Sequence, residues 1–335
     1  MTLTITLTAQ NGQGVNFNTG YDAFFNDFTP YGFPLMNGPT STRITQFVHL
    51  DTPVTGQEAQ TKAILVNGDN FQYTFANHTV SGEVDEVRLV RLGAAYNAGT
   101  GDLNLTNGTV QTAADYITIA GLDLQNAPGV KGDVHELIAG FMGGGPSGTE
   151  ADPTALSDHL WSEGHNVIGS TGSDSYVGSR FADIARGYGG NDTLSGQQGN
   201  DRLEGGVGKD VLLGGIGNDT LVGGGGADRM TGGTGADTFV FNAVTEPATD
   251  LVTDFSRTQK DKIQLSAIDA DTSTAGNQAF HWIAKAAFSG DAGELRYVTS
   301  GGKTIVYGDD DGNKVADFHI DLTGTIALAA SDFIL

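Results

Sequence analysis

The chain has 335 residues, with 40 acidic side chains against 17 basic ones, no cysteine, and a net charge of −23 at neutral pH. That balance argues against nucleic-acid binding, which needs a basic footprint, and the lack of cysteine excludes disulfides and thiolate metal sites. No segment approaches the roughly 18 apolar residues of a membrane-spanning helix, and the length suits two or three domains. In chain order, Thr2–Thr8 alternates polar and apolar residues as a half-buried strand does. The opening MTLTITLTAQNG lacks a basic region followed by an apolar core and does not read as a secretory signal peptide. Residues 20–28 predict a short helix, and 62–66, 71–75, 86–91 and 116–119 predict strands. Val134, Leu137, Ile138 and Phe141 fall at helical spacing over 132–142, with Asp133 placed to cap that helix. An α+β domain is therefore expected over 1–160, closing in the glycine- and proline-rich stretch 143–153.

Between Gly187 and Val240 the chain repeats every nine residues: GYGGNDTLS, GQQGNDRLE, GGVGKDVLL, GGIGNDTLV, GGGGADRMT and GGTGADTFV. Asp192, Asp201, Asp210, Asp219, Asp228 and Asp237 occupy the same place in each unit, and Asp174 and Asp183 continue the phase into two weaker units upstream. Glycines such as Gly189, Gly199, Gly208, Gly217 and Gly226 permit the positive-φ conformations of a tight turn. The apolar residue two places after each aspartate (Leu194, Leu203, Leu212, Leu221, Met230, Phe239) begins a short inward-facing strand. One unit makes a turn and a strand, and two make a coil, so turns 18 residues apart stack. Asp192, Asp210 and Asp228 then line one side, with Asp201, Asp219 and Asp237 on the other. Calcium takes six to eight oxygen ligands, carboxylates and backbone carbonyls among them, and stacked turns offer both. A flexible glycine linker would need neither the strict phase nor the fixed apolar offset. The pattern is that of the RTX repeat, a calcium-binding parallel β-roll. Without calcium the acidic roll is expected to be disordered, and with it binding free energy becomes folding free energy. Weak multi-site rolls suit extracellular calcium levels.

Downstream, Asp237-Thr-Phe-Val-Phe241, Asp254-Phe255, Asp261-Lys-Ile-Gln-Leu265 and the terminal Asp332-Phe-Ile-Leu335 closely resemble the C-terminal segment of serralysin-type and related RTX proteins. The resemblance covers roughly 232–335. It implies an uncleaved signal read by a type I (ABC) exporter, and hence an extracellular protein threaded out unfolded. Asp254 belongs to this set as a candidate calcium ligand. The run from Asp309 to Asp317 sets Asp309, Asp311 and Asn313 at alternate positions around Gly312, either as a calcium loop or as a solvated hairpin turn.

Enzyme signatures are missing. His135-Glu136 begins like the zinc-protease H-E-x-x-H, but Ala139 stands where the second histidine must be. No G-x-S-x-G elbow occurs, and the seven histidines show no metal spacing. The expectation is a binding protein, not an enzyme.

Tyr73-Thr-Phe75 is followed by His78 and by an acid-bearing apolar strand. Later come the strand 116–119, Gly121-Leu122, and Val134-His135 in a helix that ends at Met142-Gly143. In order and spacing, this set resembles the secreted haem-acquisition proteins, or hemophores, of Gram-negative bacteria. The resemblance implies haem held by Tyr73 as an axial phenolate, a ligand type known for ferric haem. A free phenol has a pKa near 10, so His78 would take its proton. The family's loop histidine is absent from residues 28–36, which leaves Tyr31 or Met36 for the second axial position, or haem held from one side. Met142, Phe28 and Phe33 would line the porphyrin. An outer-membrane haem receptor and host haem proteins are the partners implied. From pattern alone, Phe71, Tyr73 and Phe75 share a strand face, and Tyr73 reads as core or strand surface. The other functional reading is an adhesin-like or polysaccharide-binding surface protein that reuses the hemophore fold without haem. The expected architecture is an α+β domain (1–160), an all-β parallel roll (161–241) and a β-rich C-terminal cap (242–335).

Overall fold

The computed structural model describes residues 3–9, 13–26, 28, 35–37, 45–51, 57, 60–74, 79–92, 95–97, 102–103, 105, 110, 114–126, 137–138, 141, 154–243 and 250–335. The chain divides into two compact units, one of residues 1–11 and 15–166 and the other of 12–14 and 167–335. No helix among the described residues is long and apolar enough to cross a membrane.

The described part of the first unit is mostly antiparallel strand. Its strands are β1 (Leu3–Leu7), β2 (Leu35–Asn37), β3 (Gln46–Leu50), β4 (Lys62–Thr74), β5 (Thr79–Arg91), the short pair β6 (Tyr96–Asn97) and β7 (Asp102–Leu103), and β8 (Ala114–Asn126). Their order in the sheet is β2-β3-β4-β5-β8-β1. The alternation read in Thr2–Thr8 is observed: Leu3, Ile5 and Leu7 are buried and Thr4 and Thr6 are not. Val48, Ala63, Leu65, Val90, Leu92, Ala95 and Val110 form one core cluster. The first helix runs Phe17–Asn26 and buries Tyr21, Phe24 and Phe25, with Phe25 stacked 5.8 Å from Phe141. Leu137, Ile138 and Phe141 are helical and buried, as their spacing predicts. A further helix spans Thr154–Leu160. The strands predicted at 62–66 and 71–75 are one continuous strand. The sequence NGDN reads as a break, but the chain passes through it as a bulge, with Asn70 at φ +56° and the register to β5 shifting between Asp69 and Gln72.

The second unit begins as a two-sheet parallel roll. After β9 (His165–Ile168) come β10 (Ser175–Val177), β11 (Ile184–Arg186), β12 (Thr193–Gln198), β13 (Arg202–Val207), β14 (Val211–Ile216), β15 (Thr220–Gly225), β16 (Arg229–Thr234) and β17 (Thr238–Val240). Even-numbered strands pair in parallel with one another, and so do odd-numbered ones. The offset is 18 residues, so Leu194, Leu212 and Met230 are in register, as are Leu203, Leu221 and Phe239. All six side chains are buried. Each contributes about 1.5–3 kcal/mol by leaving water. Glycine at the fourth place of a unit has a steric cause. At Gly217, φ is +138° and an added Cβ would lie 1.5 Å from the Gly199 carbonyl oxygen.

The strand ladders run on past the repeats. β18 (Asp250–Val252) adds to β16 and β19 (Lys262–Gln264) to β17, both in parallel. After β20 (His281–Ala284), the strands β21 (Glu294–Ser300), β22 (Lys303–Asp309) and β23 (Phe318–Thr323) form an antiparallel meander, and β23 docks in parallel on β18. The terminal β24 (Phe333–Ile334) closes the other sheet against β19, with Phe333 packed 4.8 Å from Trp282 and Asp332 bonded to Arg257 at 2.8 Å.

Leu212→Ala is expected to destabilise the calcium-loaded roll by about 2–5 kcal/mol, and Leu213→Ala, at an exposed site, by no more than about 0.5 kcal/mol. Urea unfolding at saturating calcium checks this, and equal losses would contradict the inward–outward alternation of β14.

Candidate functional site

The repeat turns set the aspartates in two columns. The Asp192 backbone N–H donates to Asp210 Oδ1 (2.7 Å), and Asp210 N–H donates to Asp228 Oδ1 (2.9 Å). In the other column Asp201 N–H donates to Asp219 Oδ1 (2.8 Å) and Asp219 N–H to Asp237 Oδ1 (2.9 Å). Each carboxylate thus ties its own coil to the one before. Both columns extend beyond the nonapeptides, because Asp228 N–H reaches Asp250 Oδ1 and Asp237 N–H reaches Asp261 Oδ1. Asp250 and Asp261 escape a nine-residue search because they lie 22 and 24 residues from their partners. The signal that finds them is the retained aspartate followed two places on by an apolar residue, Asp250-Leu-Val252 and Asp261-Lys-Ile263. The fifth place of the unit also carries a role the sequence reading missed: Asn191, Asn200 and Asn218 accept the backbone N–H of Lys209, Asn218 and Ala236 one coil on.

The second carboxylate oxygen is where the chemistry lies. Oδ2 of Asp192, Asp201, Asp210, Asp219 and Asp237 is buried and has no hydrogen-bond donor. Glycine opens the space beside it: a Cβ at Gly205 would lie 2.3 Å from Asp210 Oδ2, and one at Gly214 2.4 Å from Asp219 Oδ2. A buried carboxylate oxygen without a partner is costly, and stacking like charges adds to the cost. Burial, and then the neighbouring aspartates, raise Asp192 and Asp201 to about 7 and Asp237 to about 6, against the lowering effect of the backbone N–H bonds. Hard, partnerless oxygens in a glycine-lined cradle fit calcium, the metal that the repeat implies. Asp192, Asp201, Asp210, Asp219, Asp228 and Asp237 would hold it, supplying the negative charge that the cation neutralises.

The other sequence-read residues are arranged differently. The positive-φ fourth place falls on Gly190, Gly199, Gly208, Gly217, Gly226 and Gly235. Gly189 sits one residue before it and pairs as an isolated bridge with Val207. Asp174 and Asp183 join the columns through their N–H groups, but serine donors fill both oxygens of each. Asp254 accepts Gly232 N–H and Gly233 N–H, one on each oxygen. Near the C-terminus the structure brings Asp309 and Asp311 together with Asp317, in the turn between β22 and β23. Asp309 accepts Gly312 N–H and Lys314 N–H there, while Asn313 turns its amide to Asp311 and its oxygen to Val315 N–H.

For haem, the Tyr73 backbone pairs with Val80 just past the β4 bulge. His78, Tyr31 and Met142 lie outside the described residues, as do Phe33 and His135. Phe28, read as a porphyrin-lining ring, is fully buried, stacked on Phe24 at 5.7 Å and edge-on to His49 at 6.1 Å. Sequence reasoning passed over His49. Burial lowers its pKa to about 4, so it is neutral in this aromatic setting at physiological pH.

A family model described as Peptidase M10 serralysin C terminal matches residues 165–335, just over half of the chain. The chain belongs to the Peptidase M10 serralysin C-terminal family. No curated protein matches. Among solved structures, a subunit of the mannuronan C5-epimerase from Azotobacter vinelandii is 25% identical over 50% of this chain and 80% of its own, at a TM-score of 0.30. The hemophore HasA from Yersinia pestis is 19% identical over 48% of this chain and 86% of its own, at a TM-score of 0.32. At TM-scores this low neither likeness assigns an activity.

The raised aspartates give a pH expectation. A carboxylate whose folded pKa lies above its unfolded value favours the metal-free roll below pH 3.8, and that stability is lost as pH rises through about 6 to 7. Protons and calcium therefore compete for the same oxygens. Calcium affinity, measured by calorimetry, is expected to fall by at least about tenfold from pH 8 to pH 6, and a flat profile would contradict the assignment.

Proposed function

We propose that this protein is exported by a type I (ABC) system, folds outside the cell on calcium, and uses its N-terminal unit to bind haem for acquisition through an outer-membrane receptor. The columns of buried, donor-free aspartate oxygens carry the calcium part of this reading. The family match over 165–335 supports export. An unfolded, metal-free chain can be threaded through a channel, and calcium outside then supplies the folding free energy. The three proposed functional parts are the binding domain (1–160, α+β), the roll (161–241) and the segment that carries the export signal (242–335).

The haem part rests on the hemophore-like order of residues around Tyr73, His78 and the 132–142 helix. Tyr73 is the proposed axial ligand, His78 its proton acceptor, Tyr31 or Met36 the contact at the second axial position, and Met142 a residue lining the porphyrin. This reading makes the protein a binder rather than an enzyme. One observation favours a second reading, a surface or matrix protein that binds polysaccharide or another cell: no histidine occurs in residues 28–36, where the hemophore resemblance places an axial ligand.

Hemin titrated into the calcium-loaded protein separates the two. A saturable one-to-one complex with a phenolate-to-iron charge-transfer band is expected, and Tyr73→Phe should abolish the band and weaken binding by about tenfold or more. No saturable binding by the folded protein would sink the haem reading and leave the surface-protein one.

A further inference from the structure

The roll's first coil, Gly169–Arg186, is built differently from the coils that follow. In the later units the second place is Tyr188, Gln197, Gly206, Gly215, Gly224 or Gly233, and all six have φ between +68° and +118°. In the first coil that place is serine, and neither Ser170 nor Ser179 has a positive φ. The consequence is visible at the carboxylates. Ser170 N–H donates to Asp174 Oδ2 (2.6 Å) and its hydroxyl to Asp174 Oδ1 (3.0 Å). Ser179 N–H donates to Asp183 Oδ2 (2.7 Å) and its hydroxyl to Asp183 Oδ1 (3.0 Å), and the buried Tyr176 hydroxyl also bonds Asp183. With the second place in the left-handed region, no donor reaches the corresponding Oδ2 of Asp192, Asp201, Asp210, Asp219 or Asp237. The same substitution of a serine N–H for a free oxygen recurs at the far end, where Ser256 donates to Asp261 Oδ2 at 2.8 Å.

We propose that the calcium ladder begins at Asp192 and Asp201, and that Asp174 and Asp183 are not metal ligands but rungs closed by serine. A carboxylate that already accepts an N–H and a hydroxyl is satisfied without a cation. To bind one, it would have to surrender short, charge-assisted bonds from buried donors. The first coil then needs no calcium to form its turns. It offers the metal-dependent coils an edge to stack on, through Asp174 N–H to Asp192 Oδ1 (2.7 Å) and Asp183 N–H to Asp201 Oδ1 (2.8 Å). This placement rests on the calcium reading of the roll.

Equilibrium dialysis of the full chain against radioactive calcium at saturation tests it. D174N/D183N is expected to bind as many ions per chain as the parent, and D192N/D201N fewer. If D174N/D183N loses as much calcium as D192N/D201N, the proposal is wrong. If neither double variant loses calcium, it is the calcium reading of the roll that has failed. Should D174N/D183N not fold, S170G decides. It recreates at 169–174 the Gly-Gly-Thr-Gly-x-Asp of residues 232–237. A rise in bound calcium supports the serine closure, and an unchanged number overturns it.

Discussion

The roll depends on one arrangement: aspartates stacked in columns, with Asp192, Asp201, Asp210, Asp219 and Asp237 each spending one oxygen on the neighbouring coil and leaving the other without a donor. The bonded oxygen sets the 18-residue spacing by joining each aspartate to the backbone of the coil before it. The free oxygen makes the arrangement unfavourable without a cation, since burial and like charge both oppose ionisation. Glycine is required by the same geometry, because a Cβ at the first place would collide with the carboxylate and one at the fourth with a carbonyl of the coil before. The inward leucines make the core, and neutralising the column charge favours its closure.

That dependence gives the strongly acidic composition a purpose. Under the proposed calcium-dependent folding, a net charge of −23 opposes compaction where calcium is scarce, and calcium offsets that repulsion where it is plentiful. The C-terminal segment is part of the same structure, since β18 and β19 extend the two sheets and β24 closes one of them. The residues that resemble an export signal are therefore structural once folding is complete: Phe333 is buried, and Asp332 is held by Arg257.

The roll was legible in the sequence because strict periodicity ties residue type to position. Turn, inward strand and stacking partner all follow from the nine-residue phase, and the structure reproduces the 18-residue pairing. Legibility failed where the phase broke. Asp250 and Asp261 continue the columns across longer connections, and only their local aspartate-x-apolar pattern survives. The difference between Asp174 and Asp192 is invisible to a search for aspartates. It resides in the residue four places earlier, where a serine in ordinary backbone geometry donates twice to the carboxylate and a left-handed residue does not. In the first unit the alternation of β1 and the helical spacing of Leu137, Ile138 and Phe141 were readable. The bulge in β4 was not, because Asn-Gly-Asp-Asn signals a chain reversal equally well. His49 was missed because the apolar run around it does not mark a buried histidine, and of its two aromatic contacts, Phe47 and Phe28, the second is distant in sequence.

The most direct test of the coupling between carboxylate charge and folding is small-angle X-ray scattering of the full chain at pH 7.5, first in chelator and then with millimolar calcium. The expected result is a large contraction on adding calcium, with parallel gain of strand signal in circular dichroism. Magnesium at the same concentration should produce much less, since it demands a rigid octahedral shell. A chain whose dimensions and strand signal are the same in chelator as in calcium would contradict the account, because its buried carboxylates would then need no cation.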